Sequence, residues 1–425
     1  MATASTPVSA ATLAGADEAA AYIARQAFCD DEVGAVGLEL ESHSVDLAHP
    51  ERRVQWRRLQ EIAASIGPLP GASTITFEPG GAVELSGPPH PDVSAAITAM
   101  RADRQILAAA FGDAGVALAA LGTDPLRAPE RINPSARYGA MAKHFDAAGV
   151  GGPGAQMMTS TASLQVNLQS GRRSQWRDRF ALAQRIGPTL VALSASSPML
   201  AGQPTGWRNT RQRIWELLDP RRCGVVPIGD DPAESWARYA LRAPVMLVRG
   251  NRDSKEGSGE QVTAEAVVTD VPFSAWVDGQ VMVGDRRPTT EDLDYHLTTL
   301  FPPVRPRGWF ELRYLDAAPD FWWPALAFTA TAVLDHPAAA DIAAEAVEPV
   351  DEAWETAARV GLDDGDLRTA ACRLVAAACA VAPDELLPDL LDLLGRAEQG
   401  RCPADDFTEN VAEYGVAQAF SGFTR

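Results

Sequence analysis

Lysine is nearly missing from this chain: Lys143 and Lys255 are the only two in 425 residues. A P-loop needs a Gly-Lys-Ser/Thr end to cradle nucleotide phosphates, and neither lysine stands in one, so that nucleotide site is excluded. Positive charge is carried by arginine and is outweighed by acid. The formal net charge is −19 and the sequence pI about 4.8, which argues against general binding to nucleic acid or an anionic membrane. The five cysteines (Cys29, Cys223, Cys372, Cys379, Cys402) contain no C-x-x-C pair. Their odd, scattered arrangement fits reduced cytoplasmic thiols rather than a disulfide framework. No G-x-S-x-G nucleophile elbow and no H-E-x-x-H zinc motif occurs. The longest apolar stretches, around 321–334 and 374–382, are too short to span a bilayer. Residues 1–15 lack a basic and then apolar leader pattern and read as a disordered tail.

What is present is ordinary globular material, 46% hydrophobic and 22% charged, long enough for one large core. Residues 16–425 are read as a single domain, with 330–425 a mainly helical, Ala-rich buttress. Hydrophobic periodicity predicts helices at 16–29, 51–66, 91–111 and 174–196, with a Gly/Ala-rich loop at 145–156. Strand and hairpin material is expected at 237–250 and 265–283, joined by a polar loop at 250–262. A short helical run is expected at Ile214–Leu218, just after Trp207–Arg211.

Four strand candidates share one habit. Each alternates, with an apolar face and an opposite face of specific polar groups. Gly37-Leu38-Glu39-Leu40-Glu41 puts Glu39 and Glu41 together. Val83-Glu84-Leu85, after the Pro79-Gly80-Gly81 turn, offers Glu84, with Glu78 nearby. Leu164-Gln165-Val166-Asn167-Leu168 offers Gln165 and Asn167, and Trp309–Tyr314 offers Glu311 and Arg313. A lone Glu-x-Glu fits a solvated acidic edge strand. Four such strands in one sheet would instead crowd carboxylates into a cup, where an unpaired buried charge costs several kcal/mol. Divalent cations with oxygen ligands remove that cost, and a nucleoside triphosphate bound through its metals would fit. Arg211 and Trp215, four apart, can share a helix face, and arginine suits carboxylate or phosphate. Taken alone, Arg211 fits an ordinary surface charge as well. His43 follows the acidic strand and is read as a core or surface residue.

At these residues the chain resembles the glutamate–cysteine ligases of the plant and proteobacterial type, which are similar in fold to glutamine synthetase. The resemblance rests on the segments quoted, with Phe77–Gly87, Gly202-Gln203-Pro204-Thr205-Gly206, His296–Pro302 and Glu311–Asp316, in the family's order. Within the family it is most similar to the actinobacterial ligases whose product feeds ergothioneine synthesis. The resemblance implies an α+β fold: a large antiparallel sheet forming a cup or funnel, helices on its outer face. It implies ATP-dependent joining of the glutamate γ-carboxylate to cysteine through γ-glutamyl phosphate. It implies two or three Mg²⁺ ions held by Glu39, Glu41, Glu84 and Glu311, with Arg313 on the transferring phosphoryl group. Arg211 would bind the glutamate α-carboxylate, with Trp215 beside it, and Gln165 and Asn167 would line the pocket. Glu78 is left a structural or outer-sphere part. Partners are small molecules only, in a cytoplasmic monomer.

Overall fold

The computed structural model describes residues 11–249 and 264–423. Seven strands form one antiparallel sheet: β1 (Val36–Asp46), β2 (Thr74–Phe77), β3 (Val83–Ser86), β4 (Val116–Ala119), β5 (Ser163–Gln169), β6 (Val304–Pro306) and β7 (Trp309–Asp316). Their order is β6-β7-β5-β1-β3-β2, and β4 pairs with the far half of β1. All four polar-faced strands therefore lie in one sheet. β1 is interior, flanked by β3 and β5, so Glu39 and Glu41 are not on a solvated edge.

The alternation read from sequence becomes a division of faces. Leu38, Leu40, Leu85, Val166, Leu168, Phe310 and Leu312 are buried on the helix side. Each such side chain contributes roughly 1.5–3 kcal/mol on burial. The helices Val93–Asp113, Trp323–Asp335 and Gly187–Ser194 pack against β1, β5 and β7. Behind them lie the Ala-rich helices Pro337–Ala346 and Gly365–Cys379 and the Leu-rich helix Leu387–Glu398. The last helix, Val416–Gly422, returns to cover β4. The face left open is the polar one.

Several local expectations are corrected. The expected loop at 145–156 is the end of one helix, Ala136–Ala147, and the start of another, Gly151–Ser160. Gly149, with φ +76°, turns the chain between them, whereas Gly154 serves packing: a Cβ there would lie 2.5 Å from the Phe145 ring. The single helix at 174–196 is broken at Gly187-Pro188 into Trp176–Arg185 and Gly187–Ser194, because Pro188 has no N–H to continue the ladder. Much of the expected strand at 237–250 is helix, Pro232–Arg242, capped by Asp231, with only Leu247–Arg249 extended. In 265–283, Phe273–Val277 is likewise helical. The helix expected from Ile214 starts earlier, at Thr210, so Arg211 lies inside it. Of the expected tail, residues 1–10 lie outside the described residues, but Leu13 is buried and its N–H bonds to Pro288 O at 3.1 Å. The expected loop at 250–262 also lies outside the described residues. No helix among the described residues is long and apolar enough to cross a membrane.

Candidate active site

The open face of the sheet carries a cavity of about 230 Å³. Register decides what meets there. Glu41 pairs with Glu84 across β1–β3, Glu39 with Gln165 across β1–β5, and Glu311 with Asn167 across β7–β5. Glu39, Glu41, Glu84, Gln165, Arg211, Trp215, Glu311 and Arg313 all line the cavity. Asn167 stands at its rim, donating to Glu39 Oε1 at 3.0 Å and accepting from Trp309 Nε1 at 2.8 Å.

The carboxylates fall into two groups. Glu41, Glu78 and Glu84 each offer an oxygen within 4.8 Å of the others. Glu78 thus joins the cluster directly, beyond the structural or outer-sphere part expected of it. Its position depends on the β2–β3 turn, where Gly81 N–H bonds to Glu78 O and Glu78 N–H to Ala82 O, both at 2.9 Å. Arg53 Nη1 holds Gly80 O at 3.0 Å, and Ser44 Oγ holds Gly81 O at 2.9 Å. Within the cluster Glu84 Oε1 accepts from Thr76 and Ser86 hydroxyls at 2.7 Å each. Glu41 accepts from Ser163 N–H at 2.7 Å and Gln165 Nε2 at 3.1 Å.

Burial and then the charge of Glu84 push the Glu41 carboxyl up to about 7. Glu39 is also held at about 7, by burial and then the charges of Glu311 and Glu84. Glu78 is pushed well above the usual carboxylate range by burial, then by Glu41 and Glu84. Like charges this close cannot all ionise without a cation. The donor set, all carboxylate oxygen, fits a hard divalent ion such as Mg²⁺.

Glu311 belongs to the other group. Arg305 takes both its oxygens, Nε at 2.6 Å and Nη2 at 2.8 Å, and Arg313 Nη1 adds a bond at 2.7 Å. Burial alone would raise its pKa, but Arg305 and then Arg313 hold it at about 2. A ligand role for Glu311 would require one of these arginines to release an oxygen. Arg305 was not singled out in the sequence. The turn at Arg307-Gly308, where Gly308 has φ +85°, was the signal that would have paired it with Glu311.

Arg211 and Trp215 do share a helix face, Thr210–Glu216, capped by Asn209. Arg211 is 2% exposed and one of its nitrogens, Nη2, donates to Arg313 O at 2.7 Å. Its Nε and Nη1, and Trp215 Nε1, are buried donors without hydrogen-bond partners. The nearest acid to Nη1 is Asp316 at 3.9 Å. Orphaned buried donors cost about 1–3 kcal/mol each, so three at one wall of a cavity make a receptor for an anionic group. His43 is a core residue: it is buried, its pKa lowered to about 4 by burial, with Phe420 at 6.0 Å.

The glutamate–cysteine ligase family 2 (GCS2) model matches residues 35–419. The chain belongs to this family. It is 52% identical over 406 residues to the glutamate–cysteine ligase EgtA of Mycolicibacterium smegmatis, covering 95% of this chain and 93% of the relative. It is 50% identical to EgtA of Mycobacterium tuberculosis, covering 95% and 92%. Its fold is similar to that of a glutamate–cysteine ligase of Francisella tularensis solved in complex with AMP, with a TM-score of 0.51 and 16% identity over 94% of this chain and 89% of that one. The α+β architecture expected from the sequence is thus the architecture found: an open antiparallel sheet, not a closed barrel, with helices on one face.

Proposed function

We propose that the chain joins L-glutamate, through its γ-carboxylate, to the amine of L-cysteine at the expense of ATP, giving γ-glutamylcysteine, ADP and phosphate. The observation that carries this is the pairing, in one cavity, of the Glu41–Glu78–Glu84 cluster with the unpartnered donors of Arg211 and Trp215. The first suits a metal-bound triphosphate and the second a substrate carboxylate. Full-length identity to the two EgtA ligases supports the same reaction here. It also supports the expectation that the product feeds ergothioneine synthesis.

In this reading Arg211 receives the glutamate α-carboxylate, with Trp215 Nε1 as a further donor. That leaves the γ-carboxylate extended toward Arg313, whose guanidinium is fixed by Glu311 and Gln165 at 2.7 and 2.8 Å. A γ-carboxylate oxygen attacks the terminal phosphorus as the bond to the ADP oxygen breaks. Arg313 stabilises the charge on the transferring group. The cysteine nitrogen then adds to the acyl carbon, phosphate leaves, and the amine proton passes to solvent. Glu41, Glu78 and Glu84, with Glu39 beside them, would hold the divalent cations, which neutralise the triphosphate.

The test is incubation with ATP, Mg²⁺, glutamate and single amino acids, reading ADP and dipeptide together. Glutamate-dependent ADP and a preference for cysteine are expected. ADP without preference for cysteine would reassign the acceptor to another amine, and no ADP with any amine would leave a non-catalytic member of the fold.

A further inference from the structure

The turn that presents Glu78 works against repulsion. Glu41 and Glu84 each offer an oxygen within 4.8 Å of one of its own, and like charges that close drive each other apart. Gly81, at φ +87°, leaves the backbone free to swing Glu78 out of the cluster. A buried network behind the cavity opposes that swing. None of Ser44, Arg53, Asp124 and Arg127 lines the cavity, and Asp124 is fully buried. Asp124 Oδ2 accepts from Arg127 Nε at 2.7 Å and lies 3.6 Å from Arg53 Nη1. From this one carboxylate two arms reach the turn. Arg53 Nη1 donates to Gly80 O at 3.0 Å. Arg127 Nη1 donates to Ser44 O at 2.8 Å, and the Ser44 hydroxyl donates to Gly81 O at 2.9 Å. The Asp124 N–H also donates to Ser160 O at 2.8 Å, next to Thr159, whose carbonyl closes on Gly80.

We infer that Asp124 is a positioning residue for the divalent-cation site, acting on Glu78 through the Gly80 and Gly81 carbonyls. The inference rests on the reading of Glu41, Glu78 and Glu84 as cation-binding. Both arms depend on the same carboxylate. A buried guanidinium that loses its counter-charge is stranded, and it turns toward another acceptor and releases the carbonyl it held. The two arms therefore fail together. Asp124 Oδ1 does a separate, local job: it accepts from the N–H groups of Leu126 and Arg127 at 3.1 and 2.9 Å. An asparagine side chain can still accept those bonds, but it cannot supply the charge that orients Arg53 and Arg127. The charge and the local turn are thus separable by one substitution.

The test titrates the full chain with Mg²⁺ by calorimetry, without nucleotide, at a temperature where melting curves show each variant folded. Asp124→Asn should weaken Mg²⁺ by about ten- to a hundredfold, the range for removing a group that orients a metal ligand from behind. Ser44→Ala, which removes one hydroxyl and strands no charge, should weaken it by about threefold or more, as for one hydrogen bond. Hydrogen exchange of the 78–82 amides in the metal-free chain should quicken in both variants. A merely structural Asp124 would lower the melting temperature and leave Mg²⁺ affinity native in the folded variant, and that result would overturn the inference. Failure of the cation reading shows separately, as no Mg²⁺ binding by the native chain. Exchange at 78–82 then still decides the grip of Asp124 on the turn: unchanged rates in Asp124→Asn would overturn it.

Discussion

Arg305 grips both carboxylate oxygens of Glu311 across the β6–β7 turn, and the pair is buried. The carboxylate most prominent in the β7 pattern is therefore bound to two arginines and anchors Arg313 in place.

Breaking a buried pair from one side strands the other charge, at a cost of about 3–5 kcal/mol. Arg305→Met should lower stability by that amount in chemical denaturation. Glu311→Ala, which strands Arg305, should lose stability as well as ADP formation, and Glu311→Gln, which keeps an acceptor, should recover part of the stability. An unchanged denaturation midpoint in Arg305→Met would show that the pair does not hold the hairpin.

The acidic cluster sets a pH dependence with a definite sign. Glu39 and Glu41 titrate near 7 in the folded chain against a usual 4.5. The folded state thus binds protons more tightly than the unfolded one. Without metal, the stability this contributes is present below about pH 4.5 and is lost as pH rises toward about 7. Mg²⁺ binds the ionised form, so its stabilising effect should grow over the same interval. Thermal melts with chelator and with Mg²⁺, across that range, should diverge as pH rises. In Glu78→Gln the divergence should shrink; parallel curves in the native protein would contradict the cluster as a metal site.

Arg211 tests the substrate receptor. Lysine keeps a charge but not the planar fork. Arg211→Lys should raise KM for glutamate by about a hundredfold, of the order expected for losing a charge-assisted bidentate contact, with KM for ATP little changed. Equal effects on both substrates would place Arg211 elsewhere in the reaction.

Gly80 tests the turn that presents Glu78. A Cβ there would fall 2.0 Å from Thr159 O, a backbone atom that cannot swing aside. Gly80→Ala should displace the turn, weaken Mg²⁺ binding by about tenfold or more, and lower thermal stability. Native Mg²⁺ affinity would show that the turn does not position the cluster.

The polar face was readable because alternation is a local property: Glu39 and Glu41 share a side whatever β1 pairs with. The helix at 151–160 was not readable, because Gly154 answers to the Phe145 ring, which packs against it only once both helices exist. Arg305 was missed for a related reason. It sits beside the Arg307-Gly308 turn in a three-residue strand, too short for alternation to stand out, and it acquires Glu311 from strand register.

Motif order and two-residue periodicity were enough to identify the family, the four polar-faced strands and the carboxylates that line the cavity. Tertiary structure alone decided which carboxylates meet one another and which meet arginine. Glu41 is drawn to Glu78 and Glu84, and Glu311 to Arg305, by interstrand register and by a turn whose carbonyls are tied to residues distant in the chain. Distances of that kind decide whether an acid is held near a pKa of 7 or of 2, and no local pattern contains them.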